Sequence, residues 1–250
     1  MAYLFHTIFY QPIFNLLIFL YNIIPGHDLA FAIIILTIII KLILLPLSKQ
    51  SIKSQKALQE LQPKIEELKK QHGSNKEEMA RATMALYKEN KINPFSSCLP
   101  LLLQLPFFFA VFQVFRDFNI AGNIEKNIYS FVAKPETVNV MGFFNTMDLA
   151  KPSIPLAVLA GLAQFWQAKM MMTKQPVPPI SSESKDENIT AIMNKQMLYM
   201  MPALTVFIGI TMPGGLSLYW LTITLLTALQ QLYVFKHKAK EENKVEVIKQ

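Results

Sequence analysis

The 250-residue chain has a single cysteine, Cys98. An intrachain disulfide is therefore excluded, and cysteine spacing for a metal site is absent. The histidines, His6, His27, His72 and His237, are scattered, and no HExxH pattern, Ser/His/Asp order or phosphate loop occurs. The chain thus reads as a non-enzyme, without catalytic residues, metal or cofactor. Charged residues make up only 16% of it, and none of the long apolar runs contains Asp or Glu. No Lys or Arg precedes the first apolar run, and no cysteine lies near the start. Neither an ordinary secretory signal nor a lipoprotein signal is expected.

Hydrophobic residues are abundant, at 52%, and mean hydropathy is +0.30. That balance fits an all-α membrane protein with several spans. The net charge of +7 could suggest nucleic acid. Its basic residues lie mostly between apolar runs, however, so anionic lipid, ribosomal RNA and membrane topology are better readings than DNA.

The stretch Asp28–Gln50, DLAFAIIILTIIIKLILLPLSKQ, organises the rest. From Leu29 to Leu47 it is apolar and long enough to cross a bilayer, which takes about 20 residues. One charge, Lys41, lies inside it. A lysine at the centre of a spanning helix costs roughly 2.5–3.5 kcal/mol. Lys41 either snorkels toward the cytoplasmic end or faces protein or water. Thr37 and Ser48, four residues before and seven after, share its helical face, and a polar stripe favours a wet cavity or a packed polar interface. The alternative for Thr37 is a hydroxyl bonded back to its own helix carbonyl.

Residues 1–27 precede this span. Within 8–24, Gln11, Asn15 and Asn22 fall on one face, giving an interfacial amphipathic helix, with Tyr10 and Tyr21 suited to the headgroup level; a further spanning helix is the competing reading. Pro25-Gly26 turns into the span at 28–48. A charged region, 49–94, reads as a helical hairpin. Pro63 suits a first helical turn, Gly73 a stop, and Ser74 with Glu77 a capping box. Its interleaved charges are those of a solvated surface and could also dock a ribosome, a targeting factor or lipid heads. Further spans are expected at 95–117, 153–173, 195–211 and 212–235, the last with its preceding Pro213-Gly214-Gly215 turn. A linker, 118–152, a Pro/Ser-rich loop, 174–194, and a basic tail, 236–250, complete the chain. The hairpin, that loop and the tail hold most of the Lys and Arg, which places them in the cytoplasm, with five spans, amino terminus outside and carboxyl terminus inside.

In the last span, Ser217, Trp220, Thr224, Thr227 and Gln231 recur at spacings of three and four. With Thr37, Lys41, Gln104 and Gln167 they suggest helices facing one hydrated cavity. A dry bundle held by threonine hydrogen bonds is the alternative reading of the stripe alone. A lysine with no acid in any span to pair with it favours water.

Four segments, IIIKLILLPLSKQ (Ile38–Gln50), LQPKIEELKK (Leu61–Lys70), MALYKENKINPFSSCLPLLLQLPFFFA (Met84–Ala110) and MPGGLSLYW (Met212–Trp220), together resemble the YidC/Oxa/Alb family of membrane protein insertases, in its bacterial form. The resemblance runs from about Gln11 to the tail. It implies five spans, an interfacial helix before them and a cytoplasmic hairpin after the first. It implies a bacterial inner-membrane protein with a hydrophilic groove open to cytoplasm and lipid, and insertion or chaperoning of nascent membrane proteins without nucleotide. Partners implied are nascent clients, the ribosome, the Sec translocon and lipid. Lys41 matches the family's groove arginine, keeping the charge but losing the bidentate fork. Thr37 resembles its groove threonine, Tyr219 and Trp220 its groove aromatics, and Gln167, or Gln164 one turn earlier, its polar position in the third span. Gln104, Ser217 and Thr224 complete the expected groove. The family's large extracytoplasmic domain is not expected here. The rival readings are a small anion channel or secondary transporter using Lys41, and a purely structural assembly factor.

Overall fold

The computed structural model describes residues 2–72, 75–93, 99–118, 123–171 and 196–248. Expectations at Gly73, Ser74, 94–98, Met172 and the Pro/Ser-rich loop lie outside the described residues. The architecture is mostly helical. Its only strands among the described residues are β1 (Met141–Gly142) and β2 (Met147–Asp148), an antiparallel pair pairing Met141 with Asp148 and Gly142 with Met147.

A helical run, α1, covers residues 2–23, with one wider π turn at His6–Tyr10 just before Pro12. It lies along the linker from His6 to Asn22. His6 and Gln11 bond Asn127. Asn15 donates to the Asn127 carbonyl at 2.8 Å and accepts from the Tyr129 N–H at 2.6 Å. Asn22 donates to the Ala133 carbonyl at 2.7 Å. The polar face expected from Gln11, Asn15 and Asn22 is thus a linker-binding face. Tyr10 and Tyr21 depart from the headgroup expectation, at 1% and 3% exposed. Tyr10 donates to Asp117 at 2.7 Å, and the Tyr21 hydroxyl accepts from the Asn139 N–H. The large apolar residues left outside are Tyr3, Leu4, Ile8, Phe19 and Ile23.

Gly26 (φ +78°) and His27 (φ +49°) make the turn into α2 (Leu29–Ile43). The expected helix to Ser48 is cut short. Pro46 has no N–H for the Leu42 carbonyl, which instead accepts from Leu44, and α3 (Leu45–Glu60) leaves at 70° to α2. The charged region is therefore three helices: α3, α4 (Gln62–His72) and α5 (Lys76–Glu89). Pro63 sits in the first turn of α4 as expected. The cap of α5 is Asn75, whose side chain accepts from the Glu77 and Glu78 N–H groups. α4 packs on α5.

The chain continues through α6 (Leu99–Phe118), which absorbs Pro106 without a break, and the short α7 (Asn123–Asn127). Next come α8 (Ile154–Met171) and, after a π turn at Gln196–Met200, α9 (Met201–Gly209). The last helix, α10 (Gly214–Ile248), carries the basic tail on as continuous helix. Among the described residues, Tyr3–Ile23 and Gly214–Lys236 are long and apolar enough to cross a membrane, and the bent α2–α3 pair would make a third such span.

The bundle has two ends. At the linker end α2, α8 and α10 begin and α6 and α9 finish. At the hairpin end the reverse holds. α10 packs against α8, α2 and α6, and α8 against α9. The α8–α9 contact is close because of glycine: a Cβ on Gly161 would lie 2.4 Å from Val206 Cγ2, and one on Gly209 would lie 2.7 Å from Ala157 Cβ. The core runs from Phe14, Leu17 and Ile18 through Leu29, Ile33 and Leu36 to Val111, Leu216 and Tyr219, all essentially inaccessible.

Candidate functional site

The α2 sequence is apolar on every side except for Thr37 and Lys41, so these two must be met within the bundle. Thr37 is fully buried and donates to its own helix, to the Ile33 carbonyl at 2.6 Å. Lys41, in the last turn of α2, is 9% exposed. Its Nζ donates to Thr227 Oγ1 at 2.8 Å, and the Thr227 hydroxyl in turn donates to the Ile223 carbonyl at 2.7 Å. Lys41 therefore turns into the bundle and does not snorkel. An ammonium has three N–H donors. Thr227 takes one, and no carboxylate pairs with Lys41 among the described residues.

Lys41 also lines a cavity of about 90 Å³ at the hairpin end. Its walls are Lys41 and Leu44 from the end of α2, Leu103 and Gln104 from α6, Gln167 from α8, and Thr227 and Gln231 from α10. Ser48, Ile52 and Gln55 of α3 close it from below. The volume is room for a few waters, and a cavity of roughly 150 Å³ is needed for benzene. Gln231 is 3% exposed, and its Oε1 has no partner among the described residues. The cavity therefore offers a cation and a carbonyl acceptor side by side, in a setting of low dielectric.

Of the residues expected to face one hydrated cavity, Lys41, Ser48, Gln104, Gln167, Thr227 and Gln231 line it, and Thr37, Ser217, Tyr219, Trp220 and Thr224 do not. Gln104 also donates to the hydroxyl of Tyr219, which is 0% exposed. Trp220 meets Phe108 edge-on at 5.2 Å. Ser217 donates to the Gly209 carbonyl at 3.3 Å, and Thr224 is buried. These four lie on α10 nearer the linker end, where Ser217, Trp220 and Thr224 share one helical face and Tyr219 lies on another. Gln164 accepts from Thr205 between α8 and α9, so Gln167 is the third-span polar residue at the cavity.

Four lining residues are not marked for the site by the sequence: Ile52 and Gln55, the joint residue Leu44, and Leu103. For Ile52 and Gln55 a periodic signal is nonetheless present. Ser48, Ile52 and Gln55 are spaced by four and three, one face of a helix, and Lys49, Gln50 and Lys53 lie on its exposed side. That face holds α3 in place. Ile52 is buried, which stabilises by about 2 kcal/mol. Ser48 and Gln230 hydrogen-bond each other at 2.9–3.1 Å. Lys56 sits 5.6 Å over the Phe235 ring.

The linker end is built differently. Asp28 caps α2, accepting from Ala30 and Phe31, and its two oxygens also accept from Phe143 at 3.1 Å and Phe144 at 2.6 Å. This carboxylate holds Phe143, Phe144 and Asn145 in left-handed backbone, at φ +52°, +59° and +62°. Such backbone costs a non-glycine residue roughly 1–2 kcal/mol. The first N–H groups of α10 are likewise taken by the linker, Gly214 by the Lys151 carbonyl and Gly215 by the Leu149 carbonyl. A hydrogen bond from Lys151 holds the Asp148 carboxyl below its usual range.

Residues 19–242 match the model of the 60Kd inner membrane protein family. The chain belongs to that family. Its relatives include the membrane protein insertase YidC of Fusobacterium nucleatum, 35% identical over 208 residues, 83% of this chain and 86% of that one. The Clostridium tetani protein of the same name is 35% identical over 222 residues, 87% of this chain and 88% of that one. The Magnetococcus marinus insertase is 33% identical over 231 residues, 92% of this chain but only 36% of that longer protein. Membership of this family, with helices of spanning length, makes the chain a bacterial membrane protein.

Proposed function

We propose that the protein is a membrane insertase and chaperone that takes nascent membrane proteins from the cytoplasm, moves their polar tails partway across the bilayer in a hydrated groove, and releases their apolar segments into lipid. The observation that carries this reading is Lys41, buried with one hydroxyl partner beside a polar cavity. An isolated buried charge is costly, so it is explained best by a ligand or by water. An acidic client tail would supply the missing counter-charge. Burial of about 20 apolar residues in lipid drives the process without nucleotide. The channel or transporter reading finds no support in the relatives above, which are named as insertases.

In this reading five spans, carried by α2, α6, α8, α9 and the first part of α10, place the hairpin, the loop 174–194 and the tail in the cytoplasm and the amino terminus outside. α1 is interfacial. A helix standing across the bilayer would meet an external linker at one end only, whereas α1 bonds the linker from His6 to Asn22, about 24 Å at helical rise. Ribosome, Sec translocon and lipid contacts belong to the hairpin, the tail and the lipid-facing helices.

The test is insertion of a single-span client into liposomes holding only this protein, with matched acidic and neutralised tails. Lys41→Leu should slow the acidic client by about tenfold, a loss of about 1.4 kcal/mol, and Lys41→Arg should not. Equal, undiminished insertion of both clients by the leucine variant would remove Lys41 from the mechanism.

A further inference from the structure

Most polar side chains inside the bundle have a partner in the protein. Thr37 donates to Ile33, Thr227 to Ile223 and Gln104 to Tyr219, and Ser48 pairs with Gln230. Gln231 departs from that pattern. It is 3% exposed and lines the Lys41 cavity, yet its Oε1 has no partner among the described residues. Lys41 shares the cavity but does not answer it, because its Nζ donates to Thr227, one turn earlier on α10. Gln113 Oε1 is likewise unpartnered, but Gln113 belongs to α6 and lines no part of this cavity.

The two groups together narrow the chemistry of a ligand. An ammonium only donates hydrogen bonds, and an amide oxygen only accepts them. An ionised carboxylate has acceptors alone, so an acidic side chain can answer Lys41 but not Gln231. A peptide backbone can answer both, since one residue of an extended chain presents its N–H and its C=O on the same edge. We propose that Gln231 accepts a hydrogen bond from a backbone N–H of the client's polar tail, while Lys41 takes a carbonyl or an acidic side chain of the same tail. Gln231 thereby recognises polypeptide whatever its side chains are, and Lys41 favours tails that carry negative charge. Water both donates and accepts, so it serves the same two groups between clients, and a backbone N–H that replaces it reproduces its bond. A tail without that N–H does not, and leaves a buried acceptor unanswered. The division of labour explains how one cavity handles neutral as well as acidic tails.

This proposal rests on the insertase reading, and its test separates the two. Synthetic single-span clients with short tails free of ionisable groups are presented to the full-length protein in liposomes. One client has an ordinary tail. Its match has the tail amides replaced by esters, which keep the carbonyl and lose the N–H. The ratio of amide to ester insertion rates should fall about fivefold from the parent to Gln231→Met, the effect of one hydrogen bond to a buried group. Comparing ratios cancels the easier entry of esters into lipid. Gln231→Glu keeps an oxygen acceptor and should retain the parent's ratio; a ratio lost there as fully as in Gln231→Met would overturn the acceptor role. A ratio that Gln231→Met leaves within about twofold of the parent's would overturn the proposal, whether that variant slows both clients, as a structural residue would, or neither. A second measurement needs no variant. In the parent, a single ester moved along the tail should slow insertion about threefold more at one position than at the others, because Gln231 meets the tail at one depth. An equal effect at every position would overturn the contact even if the variants failed to fold. Failure of the parent protein to insert any client is a different result, one that overturns the insertase reading.

Discussion

The two ends of the bundle hold themselves together by different means. At the linker end most polar groups are answered by a directional partner, the buried Gln113 carbonyl excepted. Asp28 takes four backbone N–H groups, Tyr10 meets Asp117, Asn15 and Asn22 bind linker carbonyls, and the first N–H groups of α10 are capped by Leu149 and Lys151. At the hairpin end the groups are as buried but less fully answered. Lys41 has a single hydroxyl, and the Gln231 carbonyl has no partner among the described residues. The linker end is organised for rigidity, and the hairpin end leaves its polar capacity for something that arrives. Stability and function should therefore separate along the long axis of the molecule.

Substitutions at the two ends can break or sharpen that contrast, read as thermal unfolding in detergent. Asp28→Ala removes a charged acceptor from four N–H groups and the tie that holds three left-handed residues, and should cost about 3 kcal/mol. Tyr10→Phe leaves the buried Asp117 without its hydroxyl and should cost about 2 kcal/mol. Lys41→Leu should act in the opposite direction, leaving stability unchanged or raising it by about 1 kcal/mol, because an uncompensated charge leaves the interior. A large loss there would mean that the hairpin end depends on Lys41 as a structural tie. The smallest effect is expected for Ser48→Ala, within about 0.5 kcal/mol of the parent. Its signature should be faster maleimide labelling at Ile52→Cys, since one fastening of α3 is gone.

Much of the helical order could be read directly from the sequence, because apolar runs, prolines and glycine turns are local signals. α8 begins at Ile154, one residue into the span expected at 153–173, and Pro63 sits in the first turn of α4 as its ring geometry requires. Lys41, Gln104 and Gln167 could be singled out for the cavity because each is a polar residue in an apolar run. What failed to show was the consequence of Pro46. Leu45–Ser48 is apolar enough to extend a span, and only the Leu42 carbonyl, deprived of a donor, reveals that the helix turns. With the bend missed, Ile52 and Gln55 were read as hairpin and not as part of the site. Thr37 and Ser217 were misleading in the other direction, since a hydroxyl bonded to a neighbouring backbone carbonyl looks the same in sequence as one facing water. The pairing of Asn15 and Asn22 with the linker joins residues more than a hundred positions apart, which no local pattern encodes.

That distance matters most for Asp28. Its partners at Phe143 and Phe144 are 115 and 116 residues further along. At a synthesis rate of about 5–20 residues per second, Asp28 waits roughly 6 to 23 seconds for them. During that interval α2 has its own cap but nothing binds it to the linker, because that part of the chain has not yet been made. The carboxylate must spend the wait in water, on the side of the membrane where its partners will later appear. Biosynthesis of this protein thus has a late closing step, and a molecule whose translation stalls between Asp28 and Phe143 would carry an unlatched first helix for as long as the stall lasts.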